Sequence, residues 1–419
     1  MKMSACFNLI HLLLNEMQIK NKKEMLLTGL KVLDLTDQKA AFCSKLLADM
    51  GARVIKVERP GGDASRNAGP FMGNDPHPEK SLSFFYNNTG KKGITLNIEH
   101  KEGMKIFRAL VKKNDVIVEC FSPGYLDKLN LSFESLSRIN PKIILASVTG
   151  FGQTGPRRDY KTCDLVASAF GGQMSVTGSF KPLKHYGEQS YLTASLFAAT
   201  GILLAVRKLR MTGKGEHLDI SIQEAVASTL EHVMVRFFYE NIIPKRQGSL
   251  HWDDLFHIFP CKDGFIQVTL FDKWETFVEW MDRDGLAQDL VKQDYLDETY
   301  RRSRLDHIIQ TIENWTKTHT VKELFELGQL MQFPWAPVDS PKKIVKSPQL
   351  KARGFFRDVC PTRNDIIKKC PGLPYQFGSE CSRSVAKAPL TGGDNLNLYE
   401  KELGFSKEKL EELSSKGII

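Results

Sequence analysis

A chain of 419 residues, 42% hydrophobic and 26% charged, is long enough for two domains and ordinary for a soluble globular protein. Its net charge of +9 is scattered, with no nucleic-acid motif beside it, so a phosphorylated small ligand is expected and a nucleic acid is not. The eight cysteines, at 6, 43, 120, 163, 261, 360, 370 and 381, form no CxxC pair, which leaves a zinc site or redox dithiol without support.

In chain order, Ala5 to Leu14 is a short apolar run without a cleavage site, so residues 1–26 read as an extension and not as a signal peptide. Leu30 to Leu35 reads as a strand, 39–50 as a helix stopped by Gly51, and Val54 to Val57 as a second strand. Strand, helix and strand within about thirty residues is the signature of a parallel sheet. Residues 64–90 are irregular. Gly93 to Asn97 is a strand, Glu102 to Lys113 an amphipathic helix and Val116 to Val118 a buried strand. Pro123-Gly124 turns the chain, and Tyr125 to Ile139 reads as two helical pieces. Later come a long helix, Thr193 to Arg210, a strand, His217 to Ile222, and a second long helix, Gln223 to Tyr239. No apolar run approaches 18 residues, so no transmembrane helix and a cytoplasmic location are expected.

Composition shifts after a basic connector at 244–248. Residues 250–328 hold Trp252, Trp274, Trp280 and Trp315 and read as a smaller α+β domain. The predicted organisation is an α/β large domain over 27–215, a linker helix over 216–249, the small domain, and a return to the large domain over 329–419. The tail from Ser406 is a charged helix with Ser406 as its N-cap.

The stretch Asn140 to Gln189 draws the eye for chemistry. A buried strand, Ile143 to Val148, breaks into a loop at Gly150, Gly152 and Gly155-Pro156, and two acids follow, Asp164 and Glu188. Strand end, glycine loop and carboxylate is a common way to build a site on an α/β scaffold. His251, Trp252, Asp253, Asp254 and His257 form a second cluster. Its histidines are too far apart for one helical face, so it reads as pocket lining and no metal is expected.

In order and spacing, LADMGARVIKVERPGGD (47–63), NNTGKKGITLNI (87–98), DVIVECFSPGYLDKLNL (115–131), NPKIILASVTGFGQTGP (140–156), TGKGEHLDISIQEA (212–225), CKDG (261–264) and PQLKARGFF (348–356) resemble the class III CoA-transferase family, also called the carnitine dehydratase/bile-acid-inducible type. The resemblance implies a Rossmann-like large domain built from both chain ends, a small central domain, and two interlocked rings in a dimer. It implies coenzyme A, entering as acyl-CoA, and an organic acid as substrates. An aspartate would attack the acyl-CoA, the anhydride would be opened by the CoA thiolate, and the enzyme thioester would pass CoA to the acceptor. A homodimer is expected, with a heterodimer as the alternative, and no membrane partner.

The chain departs from that pattern. Counting back from Gly201, the family's aspartate falls near Ser190 or Tyr191, and the nearest carboxylate is Glu188. Three readings stay open: Glu188 replaces the aspartate, the chain binds CoA thioesters with a different chemistry or beside a catalytic partner subunit, or it is a weakened relative. Asp164 reads as site-lining or as a helix cap. An acyl-CoA racemase or dehydratase-like enzyme ranks lower, because Cys163 and about Ser190 stand where that branch carries its two bases. For the CoA phosphates the matched motifs offer Lys56, Arg59, Lys91 and Lys92, and Gly150 and Gly152 offer backbone amides. Two family features are altered: Ser122 replaces the arginine of the Phe-x-Pro-Gly turn, and Thr391-Gly392-Gly393-Asp394 replaces Leu-Gly-Glu-His.

Overall fold

The computed structural model describes residues 25–251, 256–359, 369–377 and 386–419, without the side chains of Glu231 and His251. The extension up to residue 24, the segment Trp252 to Asp254, and Cys6, Cys360 and Cys381 lie outside the described residues.

Six strands form a parallel sheet: β1 (Lys31–Leu35), β2 (Arg53–Glu58), β3 (Lys92–Thr95), β4 (Val116–Glu119), β5 (Ile144–Thr149) and β6 (His217–Ser221). Their order is β3-β2-β1-β4-β5-β6, and every pair is parallel. This is the doubly wound order whose direction reverses between β1 and β4. Strand residues alternate between two buried faces. Val32, Val54, Val118 and Ile144 face one cluster, which the helices Ala41–Asp49 and Gln189–Thr212 complete. Leu33, Ile55, Ile117 and Leu145 face the other, which the helix Lys101–Lys112 covers. Leu398, Tyr399, Leu413 and Ile418 join this second cluster, so the carboxyl end of the chain belongs to the same core.

Two features differ from the sequence reading. The long helix starts at Gln189 and runs 24 residues. By length and composition alone it suffices to cross a membrane, with a mean hydropathy of 1.5 over 18 residues, contrary to the expectation of no such segment. One face of it packs in the core, with Ala194, Ala198, Ile202 and Ala205 buried in the sheet's first cluster, while Leu196, Phe197 and Leu204 are exposed. The predicted helix Gln223 to Tyr239 is two, Ile222–Ala227 and Glu231–Glu240, separated at 228–230.

The chain divides into two compact units there. The first takes the chain through Gln173, then His185–Glu231 and Ala352–Ile419; the second takes Met174–Lys184 and His232–Lys351. In the second unit, β7 (Leu250–His251), β8 (Phe256–Cys261), β9 (Gly264–Thr269) and β10 (Ala336–Pro337) form an antiparallel sheet. Its core is aromatic. Phe277 meets Trp315 and Trp335 edge-on, and the indole N–H of Trp335 donates to Thr269 at 3.0 Å. Val321–Leu330 opens with a capping box of Thr320 and Glu323.

Candidate active site

At the carboxyl ends of β1, β2 and β4, where the strand order reverses, lies a cavity of about 490 Å³. Leu35 and Asp37 form its floor beyond β1, Glu58 and Arg59 its wall beyond β2, and Phe121 and Tyr125 its wall beyond β4. The motif Glu58 to Asp63 folds into a network of its own. Glu58 accepts two bonds from the buried guanidinium of Arg66, at 2.6 and 2.7 Å, and one from the Asp63 amide at 2.8 Å. Gly61 and Gly62 turn the chain at φ +93° and +94°, which favours glycine. Arg59 is left facing solvent, with 67% of its side chain exposed.

Beneath the floor is a buried charge cluster. Asp34 accepts from the Thr36 amide (2.9 Å) and hydroxyl (2.6 Å), from Ser44 (2.5 Å) and from Lys91 Nζ (2.7 Å). Lys91 also donates to Ala41 and to Asn88, both at 2.8 Å. Lys56, opposite Asp34 in the sheet, donates to the Thr36 carbonyl and lies 3.7 Å from Asp63. Asp34, Lys56 and Lys91 are each 0% exposed at the side chain. Burial opposes ionisation of Asp34, yet Lys91 and Lys56 hold its carboxyl below the usual range. Burial pulls Lys91 down to about 8 against the attraction of Asp34.

Of the four predicted phosphate ligands, Arg59 alone lines the cavity. Lys56 and Lys91 spend their ammonium groups on protein acceptors in the interior, which argues against a phosphate contact at either. Lys92 opens β3, at the end of that strand away from the cavity. The two glycines have packing reasons. A Cβ on Gly150 would lie 2.2 Å from the Thr162 methyl, and Gly152 turns at φ +84° beside the Asp219 carboxylate. Gly150→Ala is therefore expected to cost about 1–3 kcal/mol through overpacking. A Gly150→Ala melting temperature within a degree of the parent would refute that account.

Asp164 is a cap supplied from a distance. Its Oδ1 accepts from the backbone amides of Ser190 (2.9 Å) and Tyr191 (3.3 Å), in the first turn of the long helix. Ser190 returns a hydroxyl bond to the Asp164 carbonyl at 3.1 Å. Glu188 is the N-cap residue of that helix, half-buried, after Gly187 at φ +80°. Tyr191 is buried in the core. Burial raises its hydroxyl pKa, and so do the charges of Asp37 on the cavity floor and of Cys163, Glu188 and Asp164. Tyr191 thus lies in electrostatic reach of both the cavity and the helix start.

Cys120 also lines the cavity, exchanging bonds with Asp37 at 3.0 and 3.2 Å. Burial pushes its thiol well up, which makes it a poor nucleophile. Among the described residues, no group of three or more His, Cys, Asp or Glu is placed to hold a metal. His257 bonds Ser249 at 3.1 Å and packs on Phe259. Asp394 accepts from the Gly93 amide at 2.8 Å, so the altered motif at 391–394 edges β3.

Glu119 is a buried acid beside these cavities that the sequence reading passed over. It ends β4 at 3% exposure, accepts from the Phe121 amide at 2.7 Å and takes a bond from Ser147, whose hydroxyl is 2.9 Å from His217. It borders a second cavity of about 210 Å³ that shares Ser122 with the first. The acid meets the serine and not the histidine, so this is no hydrolase triad. A glutamate closing an otherwise apolar strand was the signal. Burial, partly offset by Ser147 and the Phe121 amide, raises its carboxyl from 4.5 to about 7. Between those values the folded chain holds a proton that the unfolded chain has lost, so stability falls as pH rises. Glu119→Gln is expected to flatten that fall, and parallel thermal melts of parent and variant from pH 4.5 to 7.5 would contradict it.

The profile of a family described as CoA-transferase family III matches residues 27–395. The succinyl-CoA:(R)-benzylsuccinate CoA-transferase subunit BbsE of Thauera aromatica is 32% identical over 400 residues, spanning 93% of this chain and 97% of that protein. The succinyl-CoA:mesaconate CoA-transferase of Haloarcula hispanica is 33% identical over 387 residues, spanning 90% and 96%. A crystal structure of a CAIB/BAIF family protein from Brucella suis superposes with a TM-score of 0.82 at 26% identity, covering 90% of this chain and all (100%) of that one.

Proposed function

The chain belongs to CoA-transferase family III, an enzyme family moving CoA between an acyl-CoA and an organic acid, and we propose that its donor is succinyl-CoA, its acceptor a dicarboxylic acid and its nucleophile Glu188. The two curated relatives above are named for succinyl-CoA and for the dicarboxylates benzylsuccinate and mesaconate, which supports the substrate class. The observation that carries the nucleophile is the place of Glu188 at the amino end of a 24-residue helix. There the helix dipole favours a carboxylate and the charge that develops on an attacked carbonyl.

In this reading CoA lies in the 490 Å³ cavity with its phosphates toward Arg59. The Glu188 carboxylate attacks the thioester carbonyl, forming a mixed anhydride and releasing CoA thiolate. The thiolate attacks the Glu188 carbonyl of that anhydride, releasing succinate and leaving a glutamyl–CoA thioester. The acceptor carboxylate attacks this thioester, and the thiolate then opens the second anhydride at the acceptor's carbonyl, which regenerates Glu188. Asp164 positions the helix start. The assembly in this reading is a cytoplasmic dimer of identical chains. Cys43, Cys120, Cys163, Cys261 and Cys370 are free thiols, in keeping with a reducing compartment.

A second reading has its own support. Ser190 and Tyr191, where the family's aspartate falls, are 1% and 4% exposed, and one relative is named as a subunit. Here the chain holds the CoA thioester while a partner chain supplies the carboxylate. Trapping separates the two. After incubation with succinyl-CoA and borohydride, the first reading expects a reduced Glu188 in the peptide mass spectrum. CoA binding with every carboxylate of this chain unmodified would overturn it in favour of the second.

A further inference from the structure

The ends of three strands meet on the solvent side of the large cavity. Arg59 follows β2, Glu99 follows β3, and Tyr125 follows β4 after the left-handed turn at Gly124. Arg59 Nη2 donates to Glu99 Oε1 at 2.9 Å and to the Tyr125 hydroxyl at 3.2 Å. The Tyr125 hydroxyl donates to the same Glu99 oxygen at 2.6 Å. Because β1 lies between β2 and β4, the Arg59–Tyr125 contact spans the carboxyl end of β1, where the cavity floor begins. Arg59 and Tyr125 line the cavity; Glu99 is 49% exposed beside them.

The lining is poor in cations for a ligand with a diphosphate. Lys39 is paired with Asp37 at 2.9 Å, and Arg59 is held by Glu99. The acids Asp37, Glu58 and Asp63 stand in the same lining, and Ser122 offers no charge. We infer that Glu99 is an internal competitor for Arg59: it holds the guanidinium that a CoA phosphate takes, and binding exchanges one anion for the other. Tyr125 steadies Glu99 in the holding position. Glu99 thereby sets the affinity for CoA thioesters without touching the reacting atoms. The inference rests on the cavity being the CoA site.

Calorimetric titration of the full chain at low ionic strength, with CoA and with pantetheine, tests it. Pantetheine keeps the thiol arm and lacks every phosphate. Glu99→Gln is expected to tighten CoA about threefold, the scale of an exposed ion pair, and to leave pantetheine unchanged. In an Arg59→Gln background, which weakens CoA by itself, the Glu99→Gln gain should vanish. A gain that persists there is a general field effect and overturns the exchange. No gain, with Arg59→Gln still weakening CoA, overturns the exchange and leaves the cavity assignment standing. CoA affinity unchanged by Arg59→Gln overturns both. All these side chains are solvent-facing, and matched melting temperatures for the variants check that the fold is kept.

Discussion

Replacing Asp34 by asparagine is expected to remove about 3–5 kcal/mol of folding stability, read from the denaturant midpoint at pH 7. The carboxylate is wholly buried, and it is the charge that Lys91 is paired with. Asparagine keeps the shape and its oxygen still accepts from Thr36, but Lys91 is left as an unneutralised ammonium in the core. Lys56 retains Asp63 at 3.7 Å, so the damage centres on Lys91. The pH dependence has a definite sign. The folded-state pKa of Lys91, already pulled down to about 8, drops further in the variant. A lowered lysine means that the unfolded chain binds the proton more readily, so stability rises with pH across the window between the two values. The parent gains in the same way above about 8, so the variant's deficit should shrink as pH rises toward 8 and stay level from there toward 10. Adding Lys91→Met to Asp34→Asn should recover part of the loss, since an apolar side chain needs no counter-charge. A single-variant cost under about 1 kcal/mol would remove Asp34 from the centre of the fold. The cluster bears on function through Thr36, which both Asp34 and Lys56 hold, immediately before the cavity floor at Asp37.

The same cluster shows where sequence reasoning reaches and where it stops. The strand Leu30 to Leu35, the helix after it and the strand Val54 to Val57 were legible because one apolar period holds over each segment. Lys56 and Lys91 were read as phosphate ligands because the matched family motifs carry them and lysine pairs with phosphate. Pairing β1 with β2 sets Lys56 opposite Asp34, and pairing β2 with β3 brings Lys91 under the same carboxylate. That register is a long-range fact, and no window along the chain contains it. The place of Arg59 in the cavity lining was legible for the complementary reason: it directly follows a buried strand end, at the side of the sheet where ligands bind.

Helix boundaries failed in two physical ways. The long helix was started at Thr193 because no Ser, Thr, Asp or Asn stands as a local cap at Glu188. Its first amides are satisfied by Asp164, 26 residues upstream of Ser190, so the start signal is tertiary. The helix Gln223 to Tyr239 was drawn unbroken because Ser228-Thr229-Leu230 holds neither glycine nor proline. The break falls where the chain passes from one compact unit to the other. Glu99 was invisible for a third reason. A lone acid after a short strand is a solvated charge unless Arg59 and Tyr125 are folded against it.

Glu188→Gln is expected to lower kcat at least about 10³-fold while leaving the binding of CoA within about twofold. Glutamine is nearly isosteric and keeps the helix start, but its amide does not form the anhydride that divides the transfer into easier steps. Asp164→Asn gives the contrast. Asn keeps the oxygen that both amides share but loses its charge, so the helix start is held more weakly and the nucleophile is misplaced, not removed. A loss of about tenfold is expected there, with borohydride labelling of Glu188 slowed but still present. The pair of variants matters more than either alone, because a merely structural role for Glu188 predicts similar losses at both positions and no label at 188. If Glu188→Gln turned over within about fivefold of the parent, the acyl group would have to rest on another carboxylate. Because Ser190 and Tyr191 are buried and Asp164 is occupied by two amides, that carboxylate would then be sought on a partner chain, which is the second reading.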